Sequence, residues 1–245
     1  MALFEMPSRA GKEVDNKIAK KVKTVTKQPP VRTGGLLGQI SQIERKVNEH
    51  FEPIKSQFDC IRDFDSLSSY VQKCMKNGIV AIDTETTGLD PIIDKIVGLS
   101  MYTPGEKAVY VPINHISYIT GLRVEKQLTE QEVAEALSNL KFAVDIIMFN
   151  AKFDIRVLRN QLDLYLDCAW DGYLAARLMN DNEEFNSLKK LHQKYVLKGS
   201  GDEFKFDEYF KNISFDLVPI KTAYLYAAHD AVITYELYEF QKQYL

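Results

Sequence analysis

Ile79-Val80-Ala81-Ile82-Asp83-Thr84-Glu85-Thr86-Thr87-Gly88-Leu89 is the stretch from which the fold can be read. Its four leading apolar residues have the length of a strand buried on both faces. Gly78 just before them breaks a helical pattern over Ser66–Met75, in which Leu67, Tyr70, Val71 and Cys74 share one face. Directly after the apolar run stand two acids, Asp83 and Glu85. Their i, i+2 spacing places both carboxylates on one side of an extended chain.

Outward from this strand, Lys95 to Tyr102 and Lys107 to Ile113 are strand candidates joined by a Pro104-Gly105 turn. Ile146-Ile147-Met148-Phe149 is a further buried strand. Thr129-Glu130-Gln131-Glu132 fits a capping box and opens a helix through Val133, Ala136, Leu137 and Leu140. Helical spacing then dominates over 153–162, 171–179, 187–197 and 219–243, and a short helix fits within 36–58. Strands first and helices later predict an α/β fold, a mixed sheet covered by helices. Two more acids sit at telling places: Asp154 at the start of a helix, and Asp230 inside the otherwise apolar run Tyr224–Ile233. Each acid has an ordinary explanation alone: a strand end, a helix dipole or a salt bridge. Together they suggest hard oxygen ligands for Mg²⁺ or Mn²⁺, and two such ions are the apparatus of phosphodiester hydrolysis.

Three segments carry a resemblance. Ile82-Asp83-Thr84-Glu85-Thr86-Thr87-Gly88-Leu89 resembles the first motif of the 3′–5′ exonucleases that use four acidic ligands. Asn150-Ala151-Lys152-Phe153-Asp154 and Tyr226-Ala227-Ala228-His229-Asp230 resemble the second and third, in the same order. Over about residues 55–245 the chain is similar to the proofreading domain of family A DNA polymerases, in the subclass with Tyr before the last Asp. The resemblance implies a ribonuclease H-like fold, a five-stranded mixed sheet flanked by helices. It implies that Asp83, Glu85, Asp154 and Asp230 hold two Mg²⁺ or Mn²⁺ ions, and that Tyr226 and Glu85 orient the attacking water. Tyr226 and Asp230 are i, i+4, hence on one helix face, which Tyr224 does not share. For the substrate it implies contacts from Thr86, Leu89, Asn150, Phe153 and, by a looser match, Phe206. His115 matches a stretch found in family members and is expected to be structural. The implied substrate is a single-stranded or frayed DNA 3′ end, cut to 5′-mononucleotides during proofreading. Two alternatives stand beside it: an RNA 3′-processing enzyme resembling ribonuclease D, and an inactive structural module of a replication complex.

Composition sets the frame. The 245 residues are 45% hydrophobic and 27% charged, with a net charge of −3, which excludes an acidic disordered chain and a polytopic membrane protein. Residues 1–50 hold ten Lys or Arg against five acids, a net of +5. The other 195 residues hold 21 against 29, a net of −8. Residues 1–54, broken by Pro29-Pro30 and Gly34-Gly35, are expected to be a basic leader that is flexible or docks a partner. That partner could be nucleic acid or a separately encoded DNA polymerase, with Leu36, Leu37, Ile40 and Ile43 as apolar anchors. Cys60, Cys74 and Cys168 form no CxxC pair, and the first residues lack a signal-peptide core. A reducing, cytoplasmic setting in a bacterial or phage-infected cell is the expectation.

Overall fold

A computed structural model describes residues 35–142, 144–200, 210 and 213–245. Among them, strands β1 (Phe58–Cys60), β2 (Ile79–Thr86), β3 (Ile96–Tyr102), β4 (Ala108–Pro112), β5 (Asp145–Met148) and β6 (Trp170–Asp171) form one sheet in the order β1-β4-β3-β2-β5-β6. β2 pairs antiparallel with β3 and parallel with β5, so the sheet is mixed. The ribonuclease H-like α/β expectation holds, with six strands rather than five. β1 and β6 are too short to leave a periodic signature.

The helices are α1 (Leu36–Phe51), α2 (Phe64–Asn77), α3 (Glu130–Leu137), α4 (Ala151–Leu162), α5 (Gly172–Met179), α6 (Leu188–Tyr195) and α7 (Ile220–Gln241). The capping box of α3 is complete: Thr129 accepts from the Glu132 N–H, and Glu132 accepts from the Thr129 N–H. Helices α2, α3 and α4 bury Leu67, Val71, Val133, Leu137, Val157 and Leu158 against Val80, Ile82 and Met148 of the sheet. Helices α1 and α7 cover the other face, packing Ile40, Ile43, Val47, Phe51, Leu225 and Ala228 with Val97 and Tyr110. α7 is apolar nearly all round because it lies between the sheet and other helices. No helix among the described residues is long and apolar enough to cross a membrane.

Two expectations need correction. The first strand does not stop at Ile82 but runs to Thr86, so Asp83 and Glu85 stand on the strand rather than after it. The leader does not reach residue 54. Leu36–Phe51 is an amphipathic helix whose Ile40, Ile43, Val47 and Phe51 are buried, each worth roughly 1.5–3 kcal/mol. Of the four proposed anchors, only Leu36 and Leu37 face solvent. The charge excess misled the expectation: Glu44, Arg45, Lys46 and Glu49 balance within this helix, and the surplus lies before it.

Candidate active site

β2 is central in the sheet, with helical layers over both faces, and its C-terminal half delivers the acids. Alternation turns Asp83 and Glu85 toward the α7 layer and Thr84 toward the α4 layer. The register of β2 against β3 shifts between Glu85 and Thr86, which ends regular pairing beside the acids. On α7, Asp230 lies one turn beyond Tyr226 and is 7% exposed. One oxygen each from Asp83, Glu85 and Asp230 can be chosen so that all three lie within 4.8 Å of one another.

Asp154, 3% exposed on α4, accepts from the Thr84 backbone N–H at 3.0 Å and from the Thr84 hydroxyl at 2.6 Å. It lines one cavity of about 450 Å³ together with Asp83, Asn150, Phe153 and Tyr173. That is within the roughly 300–1,000 Å³ of small-ligand clefts. A larger hollow, about 580 Å³, lies by α2 and β4, but there Lys73 pairs with Glu106 at 2.7 Å and no carboxylate cluster forms.

Crowding shows in the acidities. Burial, then the Asp154, Glu85 and Asp230 carboxylates, hold Asp83 well above the usual carboxylate range, with Lys189 opposing. Burial and then Asp230 do the same to Glu85, again opposed by Lys189. Burial pushes Asp154 up to about 7 against the two Thr84 hydrogen bonds. Acids raised by desolvation and by one another release that strain when a cation joins them. The donor set is all oxygen, so the cluster fits a hard divalent ion such as Mg²⁺ or Mn²⁺.

Lys189 was not singled out by the sequence. From α6 it donates to Asp230 Oδ2 at 3.1 Å and to the Tyr226 hydroxyl, and its Nζ lies 3.9 Å from the Tyr226 ring centroid. Phe210 stacks on the same tyrosine at 6.1 Å. His192 Nε2 lies 2.7 Å from Glu236 Oε2, which ties α6 to α7 and fixes this lysine's base. Asp171 was also missed. It accepts from the Asn150 and Ala151 N–H groups at 2.9 and 3.0 Å, and from Tyr173 at 2.9 Å. It thereby anchors the start of α4, the helix that carries Asp154.

The remaining expected residues fall as follows. Asn150 takes a left-handed conformation, φ 61°, immediately before α4, one that Asn tolerates better than most residues. Phe153 is half-buried on the cavity wall. Thr86 donates to the Gly88 carbonyl, and Leu89 is 93% exposed at the start of the following loop. A Cβ at Gly88 would push the Asp94 carboxylate aside. Phe206 lies outside the described residues. His115 is buried among Tyr110 Oη (2.8 Å), the Val218 carbonyl (2.9 Å) and Gln127.

A comparison with protein families matches residues 58–244 to the 3′–5′ exonuclease domain of family A DNA polymerases. The chain belongs to this 3′–5′ exonuclease family. Among curated relatives, DNA polymerase I of Chloroflexus aurantiacus is 30% identical over 186 residues, which is 73% of this chain and 18% of that protein. DNA polymerase I of Borreliella burgdorferi is 28% identical over 218 residues, 88% of this chain and 22% of that protein. The chain therefore spans about a fifth of the length of these relatives. The catalytic core of RRP6 from Trypanosoma brucei shares the fold, with a TM-score of 0.55 at 15% identity over 76% of this chain and 46% of that one. The family is one of metal-dependent hydrolases, and the cluster of Asp83, Glu85 and Asp230 could hold a metal ion.

Proposed function

We propose that this exonuclease removes nucleotides from single-stranded or frayed DNA 3′ ends, releasing 5′-mononucleotides, and that it serves proofreading in DNA replication. The observation that carries the reading is the approach of Asp83, Glu85 and Asp230 to within 4.8 Å, with Asp154 on the same cavity as Asp83. The polymerase relatives support DNA as the substrate.

Asp83, Glu85, Asp154 and Asp230 would hold two Mg²⁺ or Mn²⁺ ions, which supply a water of lowered pKa and stabilise the departing 3′ oxygen. The chain's own groups do the positioning. Thr84 clamps one oxygen of Asp154 with two hydrogen bonds and leaves the other for the cavity. The Tyr226 hydroxyl and Glu85 orient the attacking water. Lys189 fixes the Tyr226 hydroxyl and offsets part of the negative charge around Asp230. Leu89, Thr86, Asn150 and Phe153 flank the terminal nucleotide. Residues 1–34, which hold eight Lys or Arg and three acids, attach the domain to a polymerase or to DNA.

End-labelled DNA and RNA strands incubated with Mn²⁺ test the reading. Stepwise loss of mononucleotides from the 3′ end of DNA, abolished by Asp83→Ala plus Glu85→Ala, is expected. Faster cutting of RNA would replace it with the RNA-processing alternative. An inert wild type with tight Mn²⁺ binding would make the domain a structural module.

A further inference from the structure

A cavity of about 260 Å³ between α1, α6 and α7 touches the Tyr226 ring and shares no lining residue with the one that holds Asp83 and Asp154. Lys189 belongs to its wall, and so do His50 and Phe51 from the end of α1. α1 precedes the matched residues 58–244. The cavity is therefore built in part by a helix outside the family's shared domain.

One side of the lining is aromatic and apolar. The His229 ring meets Phe51 edge-on at 5.2 Å and Phe58 at 6.2 Å, and Ile233 and Leu197 extend this surface. Such walls suit a flat ring, because edge-on and stacked contacts with aromatic side chains add to its burial. The other side carries hydrogen-bond donors: Lys189, Gln193 and, exposed at the rim, His50. Its one acid among the described residues, Glu236, lies 2.7 Å from His192 Nε2. A donor-rich lining stands apart in a body where residues 51–245 carry a net charge of −8, and it suits a ligand that brings negative charge. The volume is just under the roughly 300 Å³ at which small-ligand clefts begin, so a single ring system fills it.

We propose that this α1–α6–α7 cavity binds a small aromatic anion, its ring against Phe51, His229 and Tyr226 and its anionic group on Lys189 and the rim. A 5′-mononucleotide, the product class of the proposed reaction, has this chemistry, and so does an aromatic acid of other origin. Lys189 donates to Asp230 and to the Tyr226 hydroxyl. An anion that draws Lys189 toward itself loosens the hydroxyl that positions water, so occupancy slows cleavage without displacing the strand. This consequence rests on the exonuclease reading; the binding does not.

Calorimetry of the full chain in EDTA, where no metal ion can fix a phosphate at the carboxylates, tests the site with dAMP, deoxyadenosine and 1-naphthalenesulfonate. Each anion should bind at one site, and deoxyadenosine should bind about tenfold or more weakly than dAMP, as expected for the loss of a charge-assisted hydrogen bond. Tighter binding of dAMP than of the sulfonate assigns the site to nucleotides; the reverse assigns it to another aromatic acid. Leu197→Trp, at a position 41% exposed, fills the mouth of the cavity and should abolish binding. His50→Glu sets a carboxylate on the rim and should weaken binding about tenfold or more. With Mn²⁺ and a labelled oligonucleotide, the tighter ligand should lower kcat and leave KM unchanged. The Leu197→Trp chain should cut at the wild-type rate and no longer respond to the ligand. No binding of either anion, or binding indifferent to both substitutions, would overturn the site. Inhibition that raises KM alone would overturn its action on Tyr226. Leu197-dependent binding in a wild type that cuts nothing would keep the site and sink the exonuclease reading, so the two failures are distinguishable.

Discussion

Tyr226→Phe removes a single hydroxyl from a ring that Lys189, Phe210 and Phe215 hold in place. Loss of one positioning hydrogen bond should lower kcat by roughly 10- to 1000-fold while Mn²⁺ affinity, measured calorimetrically, is kept. Equal falls in both would make the tyrosine structural. Lys189→Met keeps the apolar stem and deletes the ammonium 3.1 Å from Asp230 Oδ2. There kcat should fall about tenfold or more, while Mn²⁺ binds no weaker, because a like charge has left the metal's neighbourhood. Asp154 predicts a pH effect on stability. Its folded acidity of about 7 lies above the ordinary carboxylate value of roughly 3.9, so folding favours the protonated form. That contribution is fully present below about pH 4 and is lost as pH rises through about 7. Asp154→Asn keeps an oxygen acceptor for Thr84 but cannot ionise. In EDTA its melting temperature should rise relative to wild type between pH 4 and 8; parallel curves would refute the raised pKa.

Among the elements, α1 makes the sharpest claim. Ile43→Ala, at a position 2% exposed, should cost about 2–5 kcal/mol in urea unfolding. A chain beginning at Gly34 should therefore fold and cut short oligonucleotides, and one beginning at Glu52 should aggregate or melt early. If the shorter chain proved as stable as the longer, α1 would be an appendage. The strands β2 to β5 were legible because each is a compact apolar run, and α3 because Thr129 and Glu132 spell its start. α1 was half-legible: Ile40, Ile43 and Val47 gave its periodicity, but averaging its charge with the basic residues before it disguised a packed helix as a tail. The four acids and Tyr226 stood out through the resemblance of their three motifs to the exonuclease family. Lys189 and Asp171 did not, since their roles exist only once α6 meets α7 and once β6 meets α4. The basic stretch before α1 is separable on these terms, and its removal should leave turnover on short strands intact. A steep salt dependence of affinity for long DNA, lost on removal, would assign it to phosphates; lost co-purification with a polymerase would assign it to docking.

For the whole molecule, the crowded carboxylates make stability and metal occupancy one quantity. Mn²⁺ should raise the melting temperature in proportion to the logarithm of its free concentration. Asp83→Ala plus Glu85→Ala should abolish that rise while melting higher than wild type in EDTA. A double variant that still responds to Mn²⁺ would place the ion elsewhere. α7 has a further consequence. It packs on β1 to β5, α1, α5 and α6, and its last residue, Gln241, accepts from Trp170 Nε1 at 3.0 Å and donates to the Gly172 carbonyl at 2.8 Å. Asp83 and Glu85 leave the ribosome early, but Tyr226 and Asp230 emerge on this late helix. A nascent chain can carry all six strands of its sheet and still lack the residues that would let it cut. Cleavage therefore has to wait until translation has passed α7, the helix that also completes the core.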